Sequence, residues 1–228
     1  GENVKIPDQA TIIDLDGKHI YAGFIESWLD VSTVKKDTSL RAHWNSNMRA
    51  YLNAVDLFHP KEKDIKELRS LGFTTAHITP KGGIFQGNSG LVQLGKTPKI
   101  LSGKIAQIIE YASGNWGSPE YPTSLLGAIA FIRQGFYDSD WYGKSIKILD
   151  KYPDGNEPIQ ADQSLETLFS EKNNKQPFVF RTSNEIYIDR SKNIADEFGL
   201  NLWIKGNGYE YRRLDEIPAS FMIIPLNF

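Results

Sequence analysis

The last third of the chain alternates between two kinds of segment, and that alternation limits the fold more than any other feature of the sequence. Residues 163–171 read as a helix, 178–181 (F-V-F-R) as a strand, 185–198 as a helix and 200–204 as a strand. A short helix at 211–217 and a strand at 221–226 follow. Strand and helix in turn, with short connections, predict a parallel sheet covered by helices. Runs such as Phe221-Met222-Ile223-Ile224, apolar at every position, fit strands buried on both faces.

The earlier part is less regular. Residues 10–16 (A-T-I-I-D-L-D) are β-rich, Gly17-Lys18 follows as a turn, and 19–25 is a second short apolar strand. Together they predict a hairpin leading into a buried strand. Residues 39–58 carry Met48, Tyr51, Leu52, Val55 and Leu57 at mostly helical spacing. After Pro60, residues 61–71 read as an amphipathic helix with Gly72 as its stop. Residues 73–79 (F-T-T-A-H-I-T) are strand-like, and 81–95 form a Gly-rich excursion with a short hairpin. Residues 113–121 and 153–158 read as loops around a helix at 125–142, with Leu126, Ile129, Ile132, Phe136 and Tyr137 as its apolar face.

Composition excludes several classes. A chain of 228 residues, 40% hydrophobic and 24% charged, can bury a full core. The net charge of -2 lacks the basic excess of a nucleic-acid protein. The mixed run Lys61-Glu62-Lys63-Asp64 is a solvated helix face. The absence of cysteine removes disulfides, thiolate nucleophiles and Cys-ligated zinc. No stretch approaches the roughly 20 apolar residues of a membrane span. The compartment stays open between the cytoplasm and, with a leader removed, an exported or periplasmic location.

Residues 12–30 read I-I-D-L-D-G-K-H-I-Y-A-G-F-I-E-S-W-L-D. This resembles the opening segment of metal-dependent amidohydrolases of the imidazolonepropionase and dihydroorotase-like superfamily, roughly V-I-D-x-x-G-K-x-V-x-P-G-F-I-D-x-H-x-H. Ile13, Asp14, Gly17, Lys18, Gly23, Phe24, Ile25 and Glu26 match it without gaps. E-L-R-S-L-G-F-T-T-A at 67–76 resembles the family's helix and second strand, and G-N-S-G at 87–90 a turn found after it in one subset. Q-P-F-V-F-R-T-S-N-E-I at 176–186 is similar to the strand usually reading P-V-x-x-H-A. L-W-I-K-G-N-G at 202–208 is similar to the next, usually ending H-G.

The resemblance implies a partial TIM-like α/β barrel. Residues 1–20 would be a small β extension, the remnant of a composite β-sandwich domain, and 21–228 an incomplete barrel of roughly five strands, fewer than the eight that close one. It further implies that the strand ending at Asp30 pairs in parallel with 73–79.

The family holds zinc or another divalent metal with an H-x-H pair, whose side chains at i and i+2 share one strand face. Here the two positions are Trp28 and Asp30. Trp28 cannot ligate, Arg181 stands where the later strand has a ligand, and Lys205 precedes Gly206 where the family has His. No metal or other cofactor is therefore expected in this chain. His19, His43, His59 and His77 include no pair at metal-binding spacing. His77, on the second strand, faces the axis as a structural hydrogen-bonding residue or as part of a site.

Glu26, Trp28, Asp30, His77, Arg181 and Lys205 would converge at the strand C-terminal ends, either as a polar ligand site or as a self-neutralising ion cluster. G-G-I-F-Q-G-N-S-G at 82–90 lacks the ending of a phosphate loop and reads as turns. Ser89 is not in a nucleophile elbow, because Gln86 holds the first glycine's place. Tyr111, Trp116, Tyr121, Tyr137, Trp141 and Tyr142 either pack helices or line a cleft.

Two functional classes follow. One is an amidohydrolase-like domain of a larger protein, inactive alone, whose ancestral reaction is metal-assisted hydrolysis of a non-peptide C–N bond. The other is a non-catalytic scaffold or ligand-binding domain. Partners would be the remainder of the parent protein, or other copies meeting open strand edges.

Overall fold

The computed structural model describes residues 7–31, 42–111, 121–154, 157–216 and 221–225, the stretch 214–216 by its backbone alone. β1 (Phe24–Asp30) and β2 (Phe73–Thr79), rich in aromatic and β-branched residues, pair in parallel. Between them lie a one-turn helix, α1 (Ala54–Leu57), and α2 (Glu62–Ser70), which places Ile65 and Leu68 against Ala76 and Ile78. Gly72, at φ 94°, lets the chain leave α2 and enter β2 directly.

β3 (Phe85–Asn88), β4 (Gly90–Gln93), β5 (Lys99–Ser102) and β6 (Gln107–Glu110) follow. α3 (Leu125–Lys151), α4 (Gln163–Asn173), β7 (Pro177–Arg181), α5 (Ile186–Phe198), β8 (Asn201–Lys205), a 3-10 turn (Glu210–Glu216) and β9 (Phe221–Ile223) complete the order. One sheet runs β1-β2-β4-β5 and the other β3-β6-β7-β8-β9, with β6 to β9 all parallel. The alternation read in the last third is thus a parallel sheet with helical crossovers. Ser124 caps α3 and Asp162 caps α4 through backbone N–H groups, and Gly199 ends α5 in the left-handed region.

Side-chain alternation sorts β7 and β8 into two faces. Phe178, Phe180, Leu202 and Ile204 join Ile132, Phe136, Leu168 and Ile194 of the helices in the main core. The opposite face carries Ile108, Val179 and Trp203, and Trp28 of β1 packs against it. The two sheets therefore meet through Trp28 on this face. They are not hydrogen-bonded into a closed barrel among the described residues.

Several expectations need correction. The hairpin at 10–25 keeps only its turn: Asp16 and Gly17 have φ of 48° and 74°, Lys18 N–H donates to Leu15 at 3.0 Å, and no described residue before Phe24 is a strand. Ile12, Ile13, Ile20 and Tyr21 are exposed, and two short strands with no face to bury against do not hold a ladder. The helix read over 39–58 is α1 alone, with 39–41 outside the described residues. Asn45 Oδ1 instead accepts from Asn47 N at 2.9 Å, a local bond that competes with helix formation.

The hairpin read within 81–95 is two strands in two different sheets. Ser89 makes the crossing. Its N–H and carbonyl bond Ala106 and Ile105 at 2.8 and 2.9 Å, and its hydroxyl donates to Ala106 O at 3.1 Å. The 125–142 helix runs on to Lys151, with Gly143 giving room to the Phe169 ring. Leu126 and Tyr137 of its expected apolar face point outward. The loop at 113–121 lies outside the described residues apart from Tyr121.

Candidate functional site at the strand C-terminal ends

The parallel registers set the last residues of β1, β2, β6, β7 and β8 side by side. Asp30 lies opposite Thr79, Glu110 opposite Arg181, and Arg181 opposite Lys205. One layer below are Trp28, His77, Ile108, Val179 and Trp203. The rim is thus charged and its floor is aromatic and aliphatic.

Asp30 is the centre of the rim. Both its oxygens accept from Arg181, Nη1 and Nη2 each at 3.1 Å, in the fork geometry that matches a carboxylate. The same carboxylate accepts from Trp28 Nε1 at 2.9 Å and Thr79 Oγ1 at 3.2 Å, and Lys81 stands 3.4 Å away. Burial pushes the Asp30 carboxyl up. The charge and hydrogen bonds of Arg181, with Trp28 and Lys81, outweigh it and hold the group below the ordinary carboxylate range. Arg181 Nε also faces Glu110 at 3.8 Å, and Gln86 Nε2 donates to Glu110 at 2.7 Å.

Arg181 and Lys205 both lie over the Trp28 ring, 5.8 and 5.7 Å from its centre. Burial lowers the Lys205 pKa, as does Arg181, against the pull of Glu210, Asp30 and Glu26. His77 meets the same indole edge-on at 6.0 Å. Its Nδ1 lies 3.0 Å from Ser27 O, which assigns the proton to that nitrogen, and Nε2 is buried without a hydrogen-bond partner among the described residues. Burial lowers the His77 pKa, against the Ser27 hydrogen bond, and so favours the neutral ring.

The six residues expected here come together at Trp28: Asp30, His77, Arg181 and Lys205 meet its ring, and Glu26 meets its backbone. The β1–β2 register slips between Glu26 and Leu29, a bulge of one residue, and the Glu26 carboxylate turns back to accept Trp28 N–H at 3.0 Å. Sequence reading missed Thr79, Lys81 and Glu110. Glu110 ends β6, a strand that the polar flanks of Q-I-I-E hid. Of the aromatic group, Tyr111 and Tyr142 are core residues, Trp141, Tyr137 and Tyr121 are exposed, and Trp116 lies outside the described residues.

These side chains do not suit a divalent metal. An indole offers no lone pair, a guanidinium and two ammonium groups repel a cation, and Asp30 is saturated by donors. Among the described residues no three His, Asp or Glu groups gather as a donor set.

No family model matches the chain, and none of the curated proteins does. Among solved structures it is similar to an amidohydrolase from Thermotoga maritima MSB8, with a TM-score of 0.74 over 99% of this chain at 21% identity. The chain spans 62% of the length of that protein. The likeness establishes an amidohydrolase-like α/β fold. No helix among the described residues is long and apolar enough to cross a membrane.

Proposed function

We propose that this chain is a non-hydrolytic, amidohydrolase-like unit of a larger protein, and that its strand C-terminal ends bind a small polar ligand instead of a catalytic metal. One observation carries this reading: the bidentate Asp30–Arg181 pair over Trp28. At the C-terminal ends of parallel strands, where α/β barrels keep their sites, a cation already occupies the one carboxylate that aligns with the H-x-H pair. The Thermotoga protein is described as an amidohydrolase, and metal-assisted hydrolysis of a non-peptide C–N bond is the ancestral activity this reading assigns to the fold.

Elemental analysis after dialysis, on this chain and on the full-length parent, tests the reading. Zinc, nickel and iron should stay far below stoichiometric in the chain, and adding zinc should give it no amide or lactam hydrolysis. Stoichiometric metal retained by the chain would overturn it.

The parent protein enters through the edges. Among the described residues β1 and β9 each end a sheet, and Phe24, Ile25, Phe221 and Ile224 are exposed there. Unpaired strand edges with apolar side chains recruit further strands. The remainder of the parent, or a second copy, is the partner this reading assigns to them.

A further inference from the structure

Sorting the rim charges by partner separates one residue from the rest. Asp30, Arg181 and Lys81 are paired among themselves, and Glu110 is shared between Gln86 and Arg181. Lys205 stands directly opposite Arg181 in the β7–β8 register, so two cations share one face. Its Nζ donates at 2.9 Å to the carbonyl of Gly206, and among the described residues it has no carboxylate within ion-pair distance. Glu210, the acid that follows on the chain, is buried and accepts from the backbone N–H groups of Asn207 and Gly208.

We infer that Lys205 is a nucleophilic amine that captures a small aldehyde as an imine, with the Trp28 ring as the floor for the aldehyde's apolar body. The inference rests on reading the rim as a ligand site. A lysine that is half-buried beside another cation, with no acid within ion-pair distance among the described residues, is the arrangement that biases an amine toward attack on a carbonyl, here against the hold of the Gly206 carbonyl and the Trp28 ring on its proton. Burial and Arg181 favour the neutral amine, and Glu210, Asp30 and Glu26, the acids facing it, only partly oppose them. In the step itself the Nζ lone pair forms a bond to the carbonyl carbon. The carbonyl oxygen leaves as water with the two amine hydrogens, and a C=N bond remains. No oxidant or reductant is consumed.

The test is labelling of the intact chain with benzaldehyde and cyanoborohydride, which reduces the imine to a stable benzylamine, followed by peptide mapping over a pH series. Lys205 should be labelled severalfold faster than exposed Lys18 at pH 7, with its rate reaching half-maximum at lower pH. Lys205→Arg should lose that label and keep the label on Lys18. Lys205 reacting no faster than Lys18 at every pH would overturn the inference. Metal content is read separately, so the failure of one reading is distinguishable from the failure of the other.

Discussion

Glu171 gives a quantitative prediction away from the rim. It lies on α4 at 4% exposure, where Oε1 accepts from Asn88 Nδ2 at 2.6 Å and Oε2 has no partner among the described residues. Asn88 is the cross-strand neighbour of Gln107, whose amide donates to Ala50 O at 3.1 Å and whose Oε1 is also buried without a partner among the described residues. The layer is rich in acceptors, so a carboxylic acid with a proton to donate suits it better than a carboxylate. Burial pushes the Glu171 pKa to about 7, against the Asn88 hydrogen bond and the charge of Lys104, from an ordinary 4.5.

The folded pKa is the higher one, so the folded state binds the proton more tightly. The contribution is fully present below about pH 4.5 and is lost as pH rises through about 7. At about 1.4 kcal/mol per pH unit, the total is about 3 kcal/mol. Glu171→Gln holds the neutral form at every pH. Urea denaturation of both proteins from pH 4.5 to 8 should show near-equal stability in acid and the variant ahead by about 3 kcal/mol at pH 8. A difference that stays flat across this range would refute the reasoning.

Asp30 should behave in the opposite sense. Its folded pKa is depressed, so its contribution is present above the unfolded value of 3.8 and is lost as pH falls through the folded pKa. Asp30→Asn should therefore cost about 0.5–1 kcal/mol at pH 7, by stripping the partly exposed Arg181 of its bidentate partner, and almost nothing in strong acid. Calorimetric melts at both pH values check this, and an equal loss in acid would contradict it. For the β1 and β9 edges proposed as partner surfaces, light scattering over a concentration series should show mass rising with concentration. A clean monomer at high concentration would show that the edges are covered within the chain.

What was legible in the sequence follows from physics that acts locally. β7, β8, α4 and α5 were readable because each carries its own period and its own cap, such as Asp162 or Gly199. β1 and β2 were readable from the G-F-I-E and G-F-T-T segments. The region between them was not. Helical spacing at Met48 and Leu52 came from a chain that bends through asparagine side-chain bonds and an isolated bridge from Met48 to Phe85. β5 and β6 hold four residues each, too few for a period to show. At the rim, Trp28, Asp30, Arg181 and Lys205 were placed by the resemblance to the amidohydrolase strands, with the i, i+2 spacing of a strand putting Trp28 and Asp30 on one face. The bulge beside Glu26, which turns its carboxylate onto the Trp28 N–H, was not legible, because nothing in F-I-E-S-W marks where an extra residue goes.

The crossing at Ser89 has a consequence for how the molecule comes apart. A single residue separates β3 from β4, and both its backbone groups and its hydroxyl are spent on residues 105 and 106 just ahead of β6. So short a tether has no slack to pay out. Swinging one sheet away from the other breaks those bonds first and exposes a serine with no exposed surface in the fold. The two sheets are therefore one cooperative unit, and slow amide exchange in β2 and β4 should fail at the same free energy as in β6 and β7.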